Sequence, residues 1–401
     1  METVLPPRPA RLVSLDAFRG ATIVGMILVN NPGTWGAIYG PLKHAPWHGW
    51  TPTDLIFPFF LFIVGVSLVL AFNGALARGT DPRTDRRVLL RKAAVRAAWL
   101  FGFGLLMALW PYFTFDADTA ALGLRDLGTL RIPGVLQRIS VCYLAAAALY
   151  LYASPRTLWT VLWTILVGYT LLLLFVPVPV LGRPEIDNAG STLGAWLDRL
   201  ILTRGHLYAG ATPPRTWDPE GLLSTLPAVG TTLFGLWTGL VLASARTAER
   251  KALTLLVAGV GLVVLGYVWN LALPINKALW TSSYAVFTAG QAMCALGALY
   301  YLVDVRGADA PRLRRAVQPF VVYGVNAITV FVMSGIVSKF LSAWKVTGPD
   351  GPRSLQKALF ETVFVPLGSL KTASLLYALV WITCWYGVLL WMYRRKIFIK
   401  V

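Results

Sequence analysis

The chain is short of charge. Asp, Glu, Lys and Arg make up 13% of its 401 residues, about half the share of a soluble domain, so a water-soluble globule is excluded. Acidic residues are the scarcer kind, 18 against 36 Lys and Arg, for a formal net charge of +18. Cysteine is scarce as well. Cys142, Cys294 and Cys384 all fall inside apolar segments, which argues for packing roles and against a disulfide framework or a cysteine metal site. Ser/Gly-rich linkers, low-complexity tracts and a clear internal repeat are absent, so residues 1–401 read as one unit rather than an array. Residues 1–11 are Pro-rich and polar, without a charged-then-apolar run ending in a small-residue cleavage site. The first apolar segment is therefore expected to stay as a helix.

What is plentiful is apolar: 56% of the residues are hydrophobic. Ten runs approach the length of about 20 residues that a bilayer crossing needs. They are 12–30, 55–76, 95–110, 132–152, 158–180, 222–245, 252–273, 282–303, 320–341 and 374–393. Their recurrence predicts an all-α polytopic membrane bundle of about ten transmembrane helices and not a β-barrel. Segment 355–367 is short and interrupted by Glu361 and Pro366, which predicts an interfacial or re-entrant helix. If it crosses, the count becomes eleven and the carboxyl terminus changes side.

An even count with both termini in the cytoplasm leaves 22 Lys/Arg and 7 Asp/Glu inside against 14 and 11 outside. That bias fits the positive-inside rule, so the net charge calls for no nucleic-acid partner, only the membrane lipids themselves. Arg78, Arg83, Arg86, Arg87, Arg91, Lys92 and Arg96 contribute most. They read as a topology anchor, or beyond that as a mouth that attracts a polyanionic cytoplasmic cofactor. The outer loops 31–53, 112–131, 181–221 and 342–372 are longer than simple anchors require. Richness in Arg and Ala suits a GC-rich bacterium and hence its inner membrane.

All three histidines, His44, His48 and His206, fall in outer loops. His44 and His48 lie just before the second run, where Thr51 or Thr53 can cap the helix and Asp54 falls in its first turn. An imidazole near neutrality can take up and return a proton, and a nearby carboxylate can orient it. The plain alternative is a histidine bonded for structure; zinc on His44, His48 and Asp54 lacks any diagnostic spacing. Ionisable groups inside spans are costly and point to function. Asp16 and Arg19 share one helix face and can pair or meet an anion. Gln137, Arg138, Asn270, Gln291 and Asn326 read first as interhelical hydrogen-bonding groups, with a ligand contact as the alternative for each. Asp218 and Glu220 beside Trp217 suit an amino sugar, with a carboxylate for its ammonium and a ring to stack beneath it. A helix start with Pro219 explains them as well.

Several segments are more particular than composition. Ser14-Leu15-Asp16-Ala17-Phe18-Arg19-Gly20 and the run from His44-Ala45-Pro46-Trp47-His48-Gly49-Trp50-Thr51-Pro52-Thr53-Asp54 through Phe60 resemble the heparan-α-glucosaminide N-acetyltransferase family of transmembrane acyltransferases. Gly134-Val135-Leu136-Gln137-Arg138-Ile139, Asp218-Pro219-Glu220-Gly221 and Leu273-Pro274-Ile275-Asn276-Lys277 fit the same pattern in the same order. The resemblance implies acetyl transfer from cytoplasmic acetyl-coenzyme A to the amine of a glucosamine across the membrane, with no metal. It implies that the active-site histidine falls on His44, its neighbouring asparagine on Asn30 or Asn31, and the motif carboxylate on Asp54. Asp16, Arg19, Gln137 and Arg138 become the expected coenzyme contacts, and Trp47, His48, Asp218, Glu220, Asn276 and Lys277 the expected acceptor contacts. Measured against the animal members, the chain is expected to lack their large lumenal domain, so a free amino sugar or short glycan is the expected acceptor. Oligomeric state stays open, a homodimer being one option. Two rivals remain: a permease for N-acetylglucosamine, for which inverted repeats are lacking, and an O-acyltransferase of envelope glycans.

Overall fold

The computed structural model describes residues 12–77, 82–115, 122–307, 311–348 and 351–399. Residues 1–11 and Arg78, used above for the amino terminus and the basic cluster, lie outside them. Among the described residues, nine helical segments are long and apolar enough to cross a bilayer, and a bent pair brings the number to ten. The all-α polytopic reading holds.

The spanning helices are α1 (Val13–Asn30), α2 (Ile56–Leu76), α3 (Pro82–Leu109), α4 (Val135–Tyr152) and α5 (Pro155–Phe175). A short helix α6 (Leu193–Leu202) follows in the 181–221 loop, then α7 (Thr225–Ala243), α8 (Ala248–Trp269) and α9 (Ser282–Leu299), which runs on to Val305. Next come the bent pair α10 (Pro311–Val325) and α11 (Ala327–Ala343), the short α12 (Leu355–Leu359) and α13 (Leu370–Arg394). Among the described residues, sheet is limited to two antiparallel hairpins, Phe113–Phe115 with Leu122–Leu124 and Lys345–Gly348 with Gly351–Ser354.

The most enclosed span is α7, which has no charged residue and many small ones. Its crossing with α2 depends on two glycines. A Cβ at Gly65 would land on the Thr232 carbonyl oxygen, and one at Gly235 on the Phe62 carbonyl oxygen. Small residues let backbones approach this closely where lipid gives helices no hydrophobic reason to associate. By contrast α3, α5 and α8 bury little of their surface and face outward.

Two boundaries differ from expectation. Residues 82–94 are helical rather than an inner loop. Arg, Lys, Leu and Ala are strong helix formers, and Leu89, Ala93, Ala97 and Leu100 are buried at helical spacing while Arg86, Arg87, Arg91, Lys92 and Arg96 point outward. The ninth run is not one straight span, because α10 and α11 meet at a 71° bend at Asn326. Asn326 explains it: its Nδ2 donates to the Ile397 carbonyl (3.0 Å) and its Oδ1 accepts from the Ile399 amide (3.1 Å), tying the carboxyl-terminal tail into the break. Segment 355–367 is a short irregular helix that does not qualify as a span.

Candidate active site

The site begins at the turn Pro52–Leu55, which opens the second span. Thr51 and Asp54 cap it reciprocally, as the paired Thr and carboxylate spacing allows. The Asp54 carboxylate is only 1% exposed. Its Oδ2 accepts from the amides of Ala45 (3.0 Å) and Thr51 (2.9 Å) and from the Thr51 hydroxyl (3.1 Å). Its Oδ1 faces His44 Nδ1 at 2.6 Å. One carboxylate therefore holds both ends of the 44–54 loop and one edge of the imidazole. Tyr284 of α9 steadies the turn from below by donating its hydroxyl to the Asp54 carbonyl at 2.5 Å.

Lys277 arrives from the loop between α8 and α9. Its Nζ lies 3.1 Å from both ring nitrogens of His44 and 3.8 Å from Asp54 Oδ1. Burial pulls its pKa below the ordinary lysine value, against the opposing pull of Asp54 and Glu220. The loop is stiff. Asn276 is fully buried, with Oδ1 accepting from the Leu279 amide (2.9 Å) and its own amide donating to Thr281 Oγ1 (3.0 Å). Trp280 sits at φ 51°, a left-handed conformation that costs a non-glycine residue about 1 kcal/mol or more. It is held there by Nε1 donating to Thr231 Oγ1 (3.1 Å) and by edge contacts with Phe57 and Tyr284.

His48 is turned away from Asp54. Its Nε2 pairs with Asp187 Oδ1 (2.9 Å) and its Nδ1 faces Asn276 Nδ2 (3.3 Å). Trp47 donates to the Ile186 carbonyl (2.9 Å) and meets Trp217 edge-on at 5.6 Å. The 181–221 loop thus closes over the 44–48 segment. His44, His48 and Asp54 do not converge, and among the described residues no group of three or more His, Cys, Asp or Glu is placed to hold a metal.

Beneath this layer lies an ionic cluster. Arg131 forms a two-pronged pair with Asp218 (Nε to Oδ2 2.9 Å, Nη2 to Oδ1 2.6 Å), also bonds Glu220, and lies over the Tyr208 ring. Burial favours a neutral Glu220, but the charges of Arg131, Arg138 and Lys277 outweigh it and hold its carboxyl below the usual range. Arg138 is almost fully buried, donates Nη2 to the Gly221 carbonyl (3.0 Å) and Ser224 Oγ (2.5 Å), and faces the Trp280 ring at 5.2 Å. Its Nε and Nη1 have no partner among the described residues. Gln137 fills the space left by Gly104 and Gly134. Asn31, at the end of α1, is buried and donates to the Ile27 carbonyl (2.9 Å), whereas Asn30 is exposed. Helix α1 packs against the Pro52–Leu55 turn.

Asp16 and Arg19 sit elsewhere, near the start of α1. Arg19 bonds Asp16 (3.1 Å) and Ser67 of α2 (2.9 Å). A rise of about 1.5 Å per residue puts Arg19 about 16 Å along the helix axis from Asn30. The structure therefore gathers His44, Asp54, Lys277, Asn276, His48, Trp47, Asp218, Glu220 and Arg138 at one end and leaves Asp16 and Arg19 toward the other. The sequence reading missed Arg131, Asp187 and Tyr284. Arg131 and Asp187 lie in long loops, with no local pattern to mark them.

The fold and the cluster define a class: a multi-pass helical membrane protein with a histidine–carboxylate site at one end of its bundle. Residues 11–266 match the family described as "Heparan-alpha-glucosaminide N-acetyltransferase, catalytic", and the chain belongs to that family. It is 32% identical over 384 residues to heparan-alpha-glucosaminide N-acetyltransferase of Homo sapiens and 30% identical over 384 residues to that of Mus musculus. Each match covers 84% of this chain and 55% of the relative, so the chain spans about half the length of the curated relatives it matches.

Proposed function

We propose that the chain moves an acetyl group from acetyl-coenzyme A on the cytoplasmic side to the amine of glucosamine, or of a terminal glucosamine on a short glycan, on the outer side of a bacterial inner membrane. One observation carries the reading. In a bundle of an N-acetyltransferase family, His44 is held by a buried carboxylate and already has a primary ammonium, that of Lys277, at its ring.

Asp54 accepts from Nδ1–H and so leaves the Nε2 lone pair as the base. The acceptor ammonium passes a proton to Nε2, and the freed amine attacks the thioester carbonyl. Amide donors at Asn30 or Asn31 bond the oxyanion as it forms. Collapse expels the coenzyme thiolate, which takes up the proton shed by the new amide nitrogen, while the imidazolium releases its proton to water. Glu220, His48 and the Trp47 face hold the sugar, with the buried Asp218 and Asn276 fixing Arg131 and the Lys277 loop behind them, while Gln137 and the two free donor positions of Arg138 serve the acyl end.

Phosphates do not cross hydrocarbon, since burying their charge is prohibitive. Arg19 and the outward row Arg86 to Arg96 of α3 hold them by charge-assisted bonds at the other end, and only the thin pantetheine arm enters the bundle. Purified protein in detergent, given labelled acetyl donor, tests the reading. Label should pass to glucosamine and not to N-acetylglucosamine, and His44→Ala should abolish transfer. Sugar flux in vesicles without chemistry would overturn it.

A further inference from the structure

We propose that Lys277 is itself an acetylation site: with no amino sugar in the outer pocket, its ε-amine takes the acetyl group that the acceptor would have received. This rests on the acetyl-transfer reading above and adds an acceptor inside the chain.

An acceptor amine must lie within hydrogen-bond reach of the base and must lose its ammonium proton before it can attack. Lys277 Nζ meets the first condition at 3.1 Å from His44 Nε2. Because Nδ1 is engaged by Asp54 at 2.6 Å, Nε2 is the nitrogen left to receive the Nζ proton. The backbone that carries Lys277 is held, since the buried Asn276 and the strained Trp280 hold the loop, and the Trp280 amide donates to the Lys277 carbonyl at 3.1 Å. The Lys277 side chain is 23% exposed and so is not sealed off from the outer surface. Burial also lowers its pKa, which eases the proton transfer.

The step balances without an oxidant or reductant. Nζ gives one proton to Nε2, its lone pair forms an amide bond to the acetyl carbon, the carbon–sulfur bond of acetyl-coenzyme A breaks, the departing thiolate takes the second proton that the new amide nitrogen sheds, and the imidazolium releases the first to water. The product has a neutral amide where a cation stood between Asp54 and Glu220, and its bulk fills the place of the sugar amine. Glucosamine therefore protects the chain, and a sugar-starved enzyme with donor present converts itself to a form that cannot accept.

The test is peptide mapping of the full chain in detergent after incubation with isotopically labelled acetyl-coenzyme A, with and without glucosamine, in wild type, His44→Ala and Lys277→Arg. The expected result is label on the Lys277 peptide of wild type without sugar, lost when glucosamine is added, lost in H44A and absent in K277R. Exposed Lys371 should stay unlabelled. Transfer to glucosamine with an unlabelled Lys277 overturns this inference and leaves the function standing. Label on Lys277 without transfer to glucosamine does the reverse for the choice of acceptor. Equal label in H44A, or equal label on Lys371, marks non-enzymatic acetylation and overturns it, as does an absence of label on both sugar and lysine.

Discussion

Replacing Asp54 two ways separates its structural work from its chemical work. In Asp54→Ala the amides of Ala45 and Thr51 lose their acceptor in a buried site. Each orphaned donor costs about 1–3 kcal/mol, so the variant should lose roughly 2–6 kcal/mol. Asp54→Asn keeps the shape, and its amide oxygen can occupy the Oδ2 position and accept from both donors. Its NH2 group then faces His44 Nδ1, where a carboxylate stood at 2.6 Å. The ring must accept there, its proton moves to Nε2, and the base is lost. Wrong-tautomer effects run to about a hundred- to ten-thousandfold in turnover, or about 3–5 kcal/mol in barrier at about 1.4 kcal/mol per decade. The assay pairs labelled acetyl transfer to glucosamine with thermal unfolding in the same detergent, followed by tryptophan fluorescence. D54N should melt close to wild type and turn over at most a hundredth as fast, whereas D54A should lose both. D54N at the wild-type rate, or as unstable as D54A, would refute the reasoning.

Arg131→Ala leaves Asp218 and Glu220 buried without their shared cation and should cost about 3–5 kcal/mol, read as a lower melting temperature that Arg131→Lys partly restores. Gly235→Leu forces α7 off α2 at the Phe62 carbonyl; overpacking of this kind costs about 1–3 kcal/mol or more, and yield of folded protein in detergent should fall sharply, with Gly261→Leu, where open space awaits the side chain, as the tolerant control. Burial pushes Asp198 up to about 6, against the Leu222 amide that donates to it. The unfolded chain ionises it from its ordinary value near 3.8, so stability falls as pH rises between those values and stays lower above them. Asp198→Asn should therefore raise the melting temperature at pH 7, by up to about 3 kcal/mol in stability, and make no difference below pH 4.

The spans were legible because a bilayer demands long apolar runs, and the chain supplies them with few interruptions. Their ends were less so. Residues 82–94 carry enough arginine to resemble a loop, yet arginine favours helix, and a helix leaving the membrane can present such charges outward. Asn326 stood out as a polar residue in the ninth run, but the bend there did not, since its bonds reach the tail 71 residues away. Helix α6 and the ordered outer loop were equally hidden. Their order comes from long-range bonds such as Arg199 to the Thr216 carbonyl (2.5 Å) and His206 Nδ1 facing the Leu130 carbonyl (2.7 Å). At the site, His44 and Asp54 are ten residues apart on one loop and could be paired from sequence. Lys277 was marked through the family motif as an acceptor contact, but its place against His44 needs the fold, because 233 residues separate them.

Packing and function meet at the α2–α7 crossing. A carrier must rock one part of its bundle against another to open each face in turn, and an interface where carbonyl oxygens occupy the space of a missing Cβ is a poor place for such sliding. An acetyl-transfer scheme asks for no such motion. The ions stay where water is, the phosphates near Arg19 and the amine near His44, and what lies between is an uncharged arm and a two-carbon group. The bundle can stay rigid and close-packed, provided it offers one slot about as long as the 16 Å of α1 that separates the two ends. Rigidity then serves the chemistry, because a base held by one buried carboxylate stays aligned only if the helix that bears that carboxylate does not move.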